Sequence, residues 1–335
     1  MPTWRWVIGD WNVGPQRELT LAASRKIVWN LTAPATATFN LPGRSSEAAL
    51  LAETMSDLWV YLDTALVFRG RVTQMADTAT ADSYTVAVTC VDYRGLLTRR
   101  LLVEGDQLAW STPTYAAIAW GLVAATQAKP GGGLNVVQGT WMPDSPPNPP
   151  VVRTYAAGQE IGQALDDLAA VAFDWEIDPT LAMNLWAPNK RPASGFVADW
   201  AGVVVGFTRN ADTTTWANVI RESGDASATV GENRYTASPE GRFETQIGNP
   251  GVVLQTTLQQ RAPADAAAWL ARRVSLNLDL RPGVVYSPAD VALGAQITVV
   301  LNVGRLDETG VYTLQQMTAT LDDSGATHTT LGLLT

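Results

Sequence analysis

The sequence predicts a mainly β protein with an α+β insertion: two related small β-barrel-like domains flanking a helix–hairpin domain. Three observations carry this. Alternating apolar residues recur in short runs from Val60 to Leu102. A similar run recurs from Ile297 to Leu333. Between them the apolar period switches from two to about 3.6 residues, the helical spacing.

In the first run, Val60 and Leu62 alternate up to the turn formers Asp63 and Thr64, and Leu66 and Phe68 resume the pattern beyond. Two strands joined tightly are the expectation. Gly70 interrupts the second, as at a bulge or bend. Tyr84, Val86, Val88 and Cys90 form a third strand, closed by a short helical or coiled cap at Asp92–Leu97 and the pair Arg99, Arg100. In the last run Ile297, Val299 and Leu301 form a strand, 302–309 a loop, 310–317 a strand, 322–325 a turn and Thr327 to Leu333 the closing strand. Laying Gln74-Met75 over Gln316-Met317 aligns the two meanders, so the chain carries an internal echo.

The remaining elements follow in order. Trp4–Ile8, Ile27–Leu31 and Ala35–Leu41 read as strands, and Leu50, Leu51 and Met55 suggest a short helix. With the opening meander they make a first domain over 1–106. A helix starts near Thr112-Pro113, carries Tyr115, Ile118, Leu122 and Thr126, and stops at Lys129 to Gly133. The run 143–150 is Pro-rich and extended, an exposed connector or a contact loop. A second helix from Gly158 to Ala172 leads into a hairpin of Phe173–Ile177 and Leu181–Trp186, completing an α+β domain over 107–190. The second β domain, 191–335, has strands at Val203–Arg209 and Ala217–Asp225. A loop and a third helix (Ala262 to Val274) are inserted at about 223–282.

Composition narrows the chemistry. A net charge of −9 argues against gripping nucleic acid, which needs a basic face. No apolar run is long enough to span a membrane, so no membrane anchor is expected. One cysteine, Cys90, gives no disulfide framework or thiolate metal site and fits a small core residue. The only histidine, His328, sits among threonines in the last strand. No phosphate loop, nucleophile elbow or zinc motif occurs, so no catalytic residue, metal or cofactor is expected. Asp166-Asp167, Asp174 with Glu176, and Asp322-Asp323 are the carboxylate pairs; Asp174 and Glu176 are the ones weighed for glycan hydrolysis. Thirteen tryptophans exceed what a core needs and suggest contacts, with Trp141 or Trp200 as sugar-stacking alternatives.

Arginines 69, 71, 94, 99 and 100 cluster in an otherwise acidic chain. Their partners are carboxylates on this chain or on a copy of it, or else water. Arg69, Arg71, Asp92, Arg94, Arg99 and Arg100 are therefore the candidate subunit-interface residues.

Phe68-Arg69-Gly70-Arg71-Val72, followed by Val91-Asp92-Tyr93-Arg94-Gly95-Leu96-Leu97 and the Arg99-Arg100 pair, resembles the N-terminal part of phage baseplate-hub proteins. These are minor tail proteins of long-tailed phages, related to the hub part of tail-associated lysins. The helix and hairpin from Ile161 to Trp186, Ala217 to Arg221 with Gly224, and Leu293 to Val299 with Gly310 to Leu314 are similar too. The resemblance implies a structural virion protein made in the host cytoplasm and carried at the tail tip. It implies a homotrimer whose paired β domains form a pseudo-sixfold ring joining tail tube to tip. The distal tail ring protein, the tape-measure protein and other tail-tip proteins are its expected partners, and genomic DNA passes without specific binding. The chain stops at Thr335, so no lytic extension, and no enzymatic activity, is expected. A carbohydrate-binding tail-tip module is the alternative.

Overall fold

The computed structural model describes residues 2–51, 56–103, 105–112, 114–141, 151–186, 194–212, 214, 216–224, 232–234, 241–249, 273–322 and 326–335. The chain opens with β1 (Trp4–Asp10), β2 (Gly14–Glu18), β3 (Ala23–Asn30) and β4 (Thr36–Pro42). Then come β5 (Ser56–Leu62), β6 (Ala65–Ala79), β7 (Tyr84–Asp92) and the short helix α1 (Tyr93–Leu97). The middle holds β8 (Ala109–Thr112), α2 (Tyr115–Gln127), β9 (Val137–Trp141), β10 (Val151–Thr154), α3 (Ile161–Ala172), β11 (Asp174–Ile177) and β12 (Ala182–Trp186). Beyond it lie β13 (Val197–Asp199), β14 (Val204–Asp212), β15 (Val219–Gly224), β16 (Glu232–Arg234), β17 (Glu244–Asn249) and β18 (Arg273–Leu280). The chain closes with β19 (Gln296–Val303), β20 (Leu306–Leu321) and β21 (Thr327–Leu334). Strand dominates, as the alternating patterns predict.

Two units divide the chain. The first holds Met1–Gly206 and Leu278–Gly332, the second Phe207–Asn277 and Leu333–Thr335. In the first, the strand order β21-β20-β3-β4-β7-β6-β5-β1-β2 builds one long sheet, with β19 on β20 and β13 parallel to β19. The seam between early and late strands is β3 with β20, where Ile27 faces Ala319 and Trp29 faces Met317. All four side chains are buried, so burial of one face fixes this register.

The first meander forms as its pattern predicts. Leu62 pairs with Ala65 around Asp63-Thr64, and Asp63 adopts φ 54°, which aspartate tolerates better than most residues. Asp63 Oδ1 also accepts from Thr3 N at 2.8 Å, tying the turn to the N-terminus. Gly70 is not itself the bulge. It pairs in register with Leu58 and Asp92, and the irregularities fall on either side, between Val60 and Tyr61 and between Val72 and Gln74. A Cβ at Gly70 would meet Val91 O at 2.6 Å and Phe68 Cζ at 2.7 Å, so close approach explains the glycine.

The last meander repeats the device. β6 pairs with β5 over residues 65–71 and with β7 over 70–79. β20 pairs with β19 over 306–313 and with β3 over 316–321. In β20 the buried side chains are Tyr312 and Leu314, then Met317, Ala319 and Leu321, so the inward face changes parity near Gln315-Gln316. One long strand thereby serves two neighbours. The expected loop at 302–309 is instead a tight turn at Gly304-Arg305, with Asn302–Val303 and Leu306–Thr309 paired across it. The exposed Asp307 and Thr309 gave those strand residues a loop-like composition.

Helices α2 and α3, the hairpin of β11 and β12, and α1 share a core that includes Tyr93, Leu97, Ile118, Leu122, Ile161, Leu165, Leu168, Trp175 and Met183. The N-cap of α2 is Thr114, whose Oγ1 accepts from Ala117 N at 3.1 Å, rather than Thr112. Of the helix expected around Leu50, the described part is a single 3-10 turn at Ala48–Leu50, started by Ser45 Oγ accepting from Ala48 N at 3.0 Å, and Met55 lies outside the described residues.

In the second unit β15 lies between antiparallel β16 and parallel β17. Asn218 holds it in place, accepting from Phe243 N at 2.8 Å and donating to Gly241 O at 2.6 Å. Val274 belongs to β18 rather than to a helix; Val274, Leu276, Leu278 and Leu280 are buried at strand spacing. The rest of that expected helix, the Pro-rich run 143–150 and the boundary at 187–192 lie outside the described residues.

Candidate functional site

Cross-strand pairing of β5 and β6 sets Asp57 against Arg71 and Trp59 against Arg69. Their side chains share one face and converge on the Asp57 carboxylate, which is fully buried. Arg69 Nε donates to Oδ2 at 3.3 Å and Arg71 Nε to Oδ1 at 3.2 Å. Tyr93, the first residue of α1, donates its hydroxyl to Oδ2 at 2.5 Å. Burial first, and then Asp57, pushes the Tyr93 phenol up to about 12, so it keeps the proton it donates. Aromatic rings cover the guanidiniums: Arg69 lies 5.1 Å from the Trp59 ring centre and Arg71 lies 4.7 Å from that of Trp11.

Asp92 caps α1, with Oδ1 accepting from Gly95 N at 3.0 Å and Oδ2 from Ala35 N at 2.8 Å. Burial pushes its carboxyl up to about 6, outweighing those hydrogen bonds and the nearby Arg94 charge. Arg94 points into the helical core. Its Nη1 donates to Leu31 O at 2.8 Å and Trp175 O at 3.1 Å, and its Nη2 to Asp166 Oδ1 at 2.8 Å. The Trp175 ring centre lies 4.3 Å from the guanidinium carbon, and Trp175 Nε1 donates to the same Asp166 oxygen. One arginine thus joins the β3–β4 connection, α3 and β11.

The six residues singled out in the sequence therefore do not form one patch. Arg69 and Arg71 share Asp57, Arg94 takes Asp166, and Asp92 caps its own helix. Arg99 is exposed beyond α1, and the Arg100 carbonyl accepts from Ile161 N at 2.8 Å. Sequence reasoning named Asp166 only as half of a carboxylate pair with Asp167 and missed Asp57 and Tyr93 as partners of the arginines. The signal for Asp57 was weak, a lone carboxylate opening an apolar strand.

Between the two arginine centres lies a half-open cleft of about 120 Å³. Trp29, Phe68, Arg69, Asp92 and Arg94 line it, with Glu176 to Pro179 of the hairpin, Pro288 and Leu293. Elsewhere, burial pushes the Cys90 thiol up and keeps it protonated. His328 Nε2 stands 3.6 Å from Asp322 Oδ2 with both side chains largely in solvent. Trp141 donates Nε1 to Met183 O at 3.3 Å and meets Trp120 edge-on at 6.3 Å, so its indole is partly engaged within the fold. Among the described residues no group of three or more His, Cys, Asp or Glu side chains could hold a metal ion. No described helix is long and apolar enough to cross a membrane.

The fold is shared from end to end with phage tail proteins. The tail protein from Neisseria meningitidis MC58 superposes with a TM-score of 0.75 at 14% identity, covering 99% of this chain and 96% of that one. The 43 kDa tail protein of prophage MuSo2 from Shewanella oneidensis gives 0.73 at 12% identity, covering 99% and 96%. The E. coli c3393 protein gives 0.53 at 11% identity, covering 93% and 73%; it is a component of the type VI secretion system with structural similarity to the T4 tail proteins gp27 and gp5. No family model and no curated protein matches the sequence. The chain has the fold of phage tail and baseplate-related proteins, in agreement with the resemblance read from its motifs.

Proposed function

We propose that this chain is a structural component of a phage tail, acting as the hub of the tail tip or baseplate. Three copies form a pseudo-sixfold ring that joins the tail tube to the tip and surrounds the DNA channel. The observation that carries this reading is the full-length correspondence of fold with two phage tail proteins, with no large segment left over on either side. The repeated long-strand device of β6 and β20 supports the division into two related β lobes, 1–106 and 191–335, around the helix–hairpin segment 107–190. Three copies of a chain with two such lobes present six similar edges to a hexameric tube.

The chemistry fits a scaffold. The arginines best placed for catalysis or ligand binding are committed to carboxylates and aromatic rings within the fold. The net charge of −9 disfavours sticking to passing DNA. Neighbouring tail-tip proteins, the distal tail ring and the tape measure are its partners in this reading, and Arg99 and Arg100 remain candidates for subunit contact. Electron microscopy of intact particles carrying a labelled copy tests it. Label at the tail tip supports the hub, and label absent from the particle contradicts it.

A further inference from the structure

Asp57 answers two arginines and leaves one donor over. It accepts Arg71 Nε on Oδ1, and Arg69 Nε together with the Tyr93 hydroxyl on Oδ2. Each guanidinium meets the carboxylate through Nε, without the paired contact that an arginine fork makes with a carboxylate. Arg69 has one more bond, from Nη2 to the Tyr93 oxygen at 3.5 Å. Arg71 Nη2 is buried and among the described residues has no acceptor. The charges that act on the Tyr93 hydroxyl, at the middle of the group, are those of Asp57, Arg69 and Arg71, one negative against two positive.

The groups around Arg71 do not supply the missing acceptor. Its guanidinium carbon lies 4.7 Å from the Trp11 ring centre and 5.8 Å from that of Tyr93. Ring faces answer a cation's charge, not the N–H bonds that lie in its plane. Asp10, the acid beside Trp11, accepts from Asn12 N at 2.8 Å and Val13 N at 3.3 Å. A charged donor buried without an acceptor destabilises the fold, so its retention calls for a reason. The cover over it is light. Trp11 is half-buried in the turn between β1 and β2, and Val13 in the same turn is 75% exposed. Both arginine side chains keep 15% of their surface open to solvent.

We propose that Arg71, backed by Arg69, is a binding site for a small oxyanion, with Trp11 as its cover. An oxygen of the ligand takes the Nη2 donor, and the excess cation offsets the ligand's charge. The oxyanion is a free ion or the carboxylate of an acidic side chain on a second copy. At a net charge of −9 each copy brings more acidic than basic side chains to such a contact.

Thermal melts of the full chain at low protein concentration test the site, with sodium sulfate replacing sodium chloride at constant ionic strength. Two variants accompany the wild type. Arg71→Gln leaves Asp57 and Arg69 as a one-to-one pair, and Trp11→Ala uncovers the guanidinium. The wild type should gain about 2–4 °C at roughly tenfold excess over the half-saturating sulfate concentration. Trp11→Ala should reach half-saturation at about threefold lower sulfate. Arg71→Gln should show only the non-saturating salt effect common to all three chains. A wild-type curve with no saturating part overturns the site, and so does an Arg71→Gln curve that saturates like the wild type. Where Arg71→Gln fails to fold, a half-saturation in Trp11→Ala equal to that of the wild type overturns it. Sedimentation velocity separates the two sources. If sulfate raises the dissociation constant of wild-type assembly and not that of Arg71→Gln, the ligand is a carboxylate of a second copy. If assembly does not respond to sulfate, the ligand is a free ion; either result supports the site.

Discussion

Arg94 and Asp166 lie 72 residues apart and meet through a 2.8 Å hydrogen bond from Nη2 to Oδ1. The arginine side chain is 7% exposed and the aspartate 42%. That asymmetry predicts unequal losses. Arg94→Ala removes three hydrogen bonds and the contact with Trp175, and strands two carbonyls, so it should cost about 3–5 kcal/mol. Asp166→Ala leaves Arg94 both carbonyl acceptors and should cost about 1–2 kcal/mol. Urea denaturation of both variants measures the difference, and equal losses would count against Arg94 as the joint between α3, β11 and the sheet.

Asp57 holds two guanidiniums that the sheet buries. Asp57→Ala should cost about 3–5 kcal/mol, because two cations then lose their shared partner. Glu18→Ala, which breaks the exposed Arg5–Glu18 pair, should change stability by less than about 1 kcal/mol. The same denaturation series checks both.

Asp92 gives a pH dependence of definite sign. Burial pushes its folded carboxyl up to about 6, above the 3.8 of an ordinary aspartate. The folded state therefore binds the proton more tightly, and this group's contribution is fully present below pH 3.8 and is lost as pH rises through about 6. Asp92→Asn cannot lose a proton there and keeps a capping side chain. Its melting temperature relative to wild type should climb between pH 4 and 7 and level off above. A flat difference across that range would contradict the assignment.

Gly70 and Gly310 occupy similar places in the two long strands but differ in space. A Cβ at Gly70 meets backbone at 2.6 Å, whereas at Gly310 the nearest atom is the Tyr312 ring edge at 3.0 Å. Gly70→Ala should cost about 1–3 kcal/mol, and Gly310→Ala distinctly less, since a side chain yields more readily than a carbonyl. Thermal melts of the two variants decide it.

Much of the β framework was legible because one face of each central strand is buried. Alternation at Val86–Cys90 and Ile297–Leu301 reports that burial directly, whereas Leu58, Trp59 and Val60 are buried in succession and Tyr84 is exposed. The helices around Ile118 and Leu165 were legible for the same reason at a different period. Illegible elements lacked the signal. β2 is an edge strand with polar, largely exposed residues, and Leu306–Thr309 of β20 carries Asp307 and Glu308. Val274 was assigned to a helix because a preceding apolar run at helical spacing led into it, although its own neighbours alternate. At the candidate site, arginines stood out by composition, but Asp57 and Tyr93 become partners only once β5, β6 and α1 fold together. Clustering in sequence left carboxylates of this chain or of a second copy open as partners, and contact in space pairs Arg69, Arg71 and Arg94 with carboxylates of their own chain.

The central claim is a threefold hub built from a chain with two related β lobes. Cryo-electron microscopy class averages of the purified full chain at high protein concentration test it most directly. The account predicts rings of three copies with six similar lobes around an open centre. Particles that remain single copies at every concentration, or that assemble with even-numbered symmetry, would contradict it.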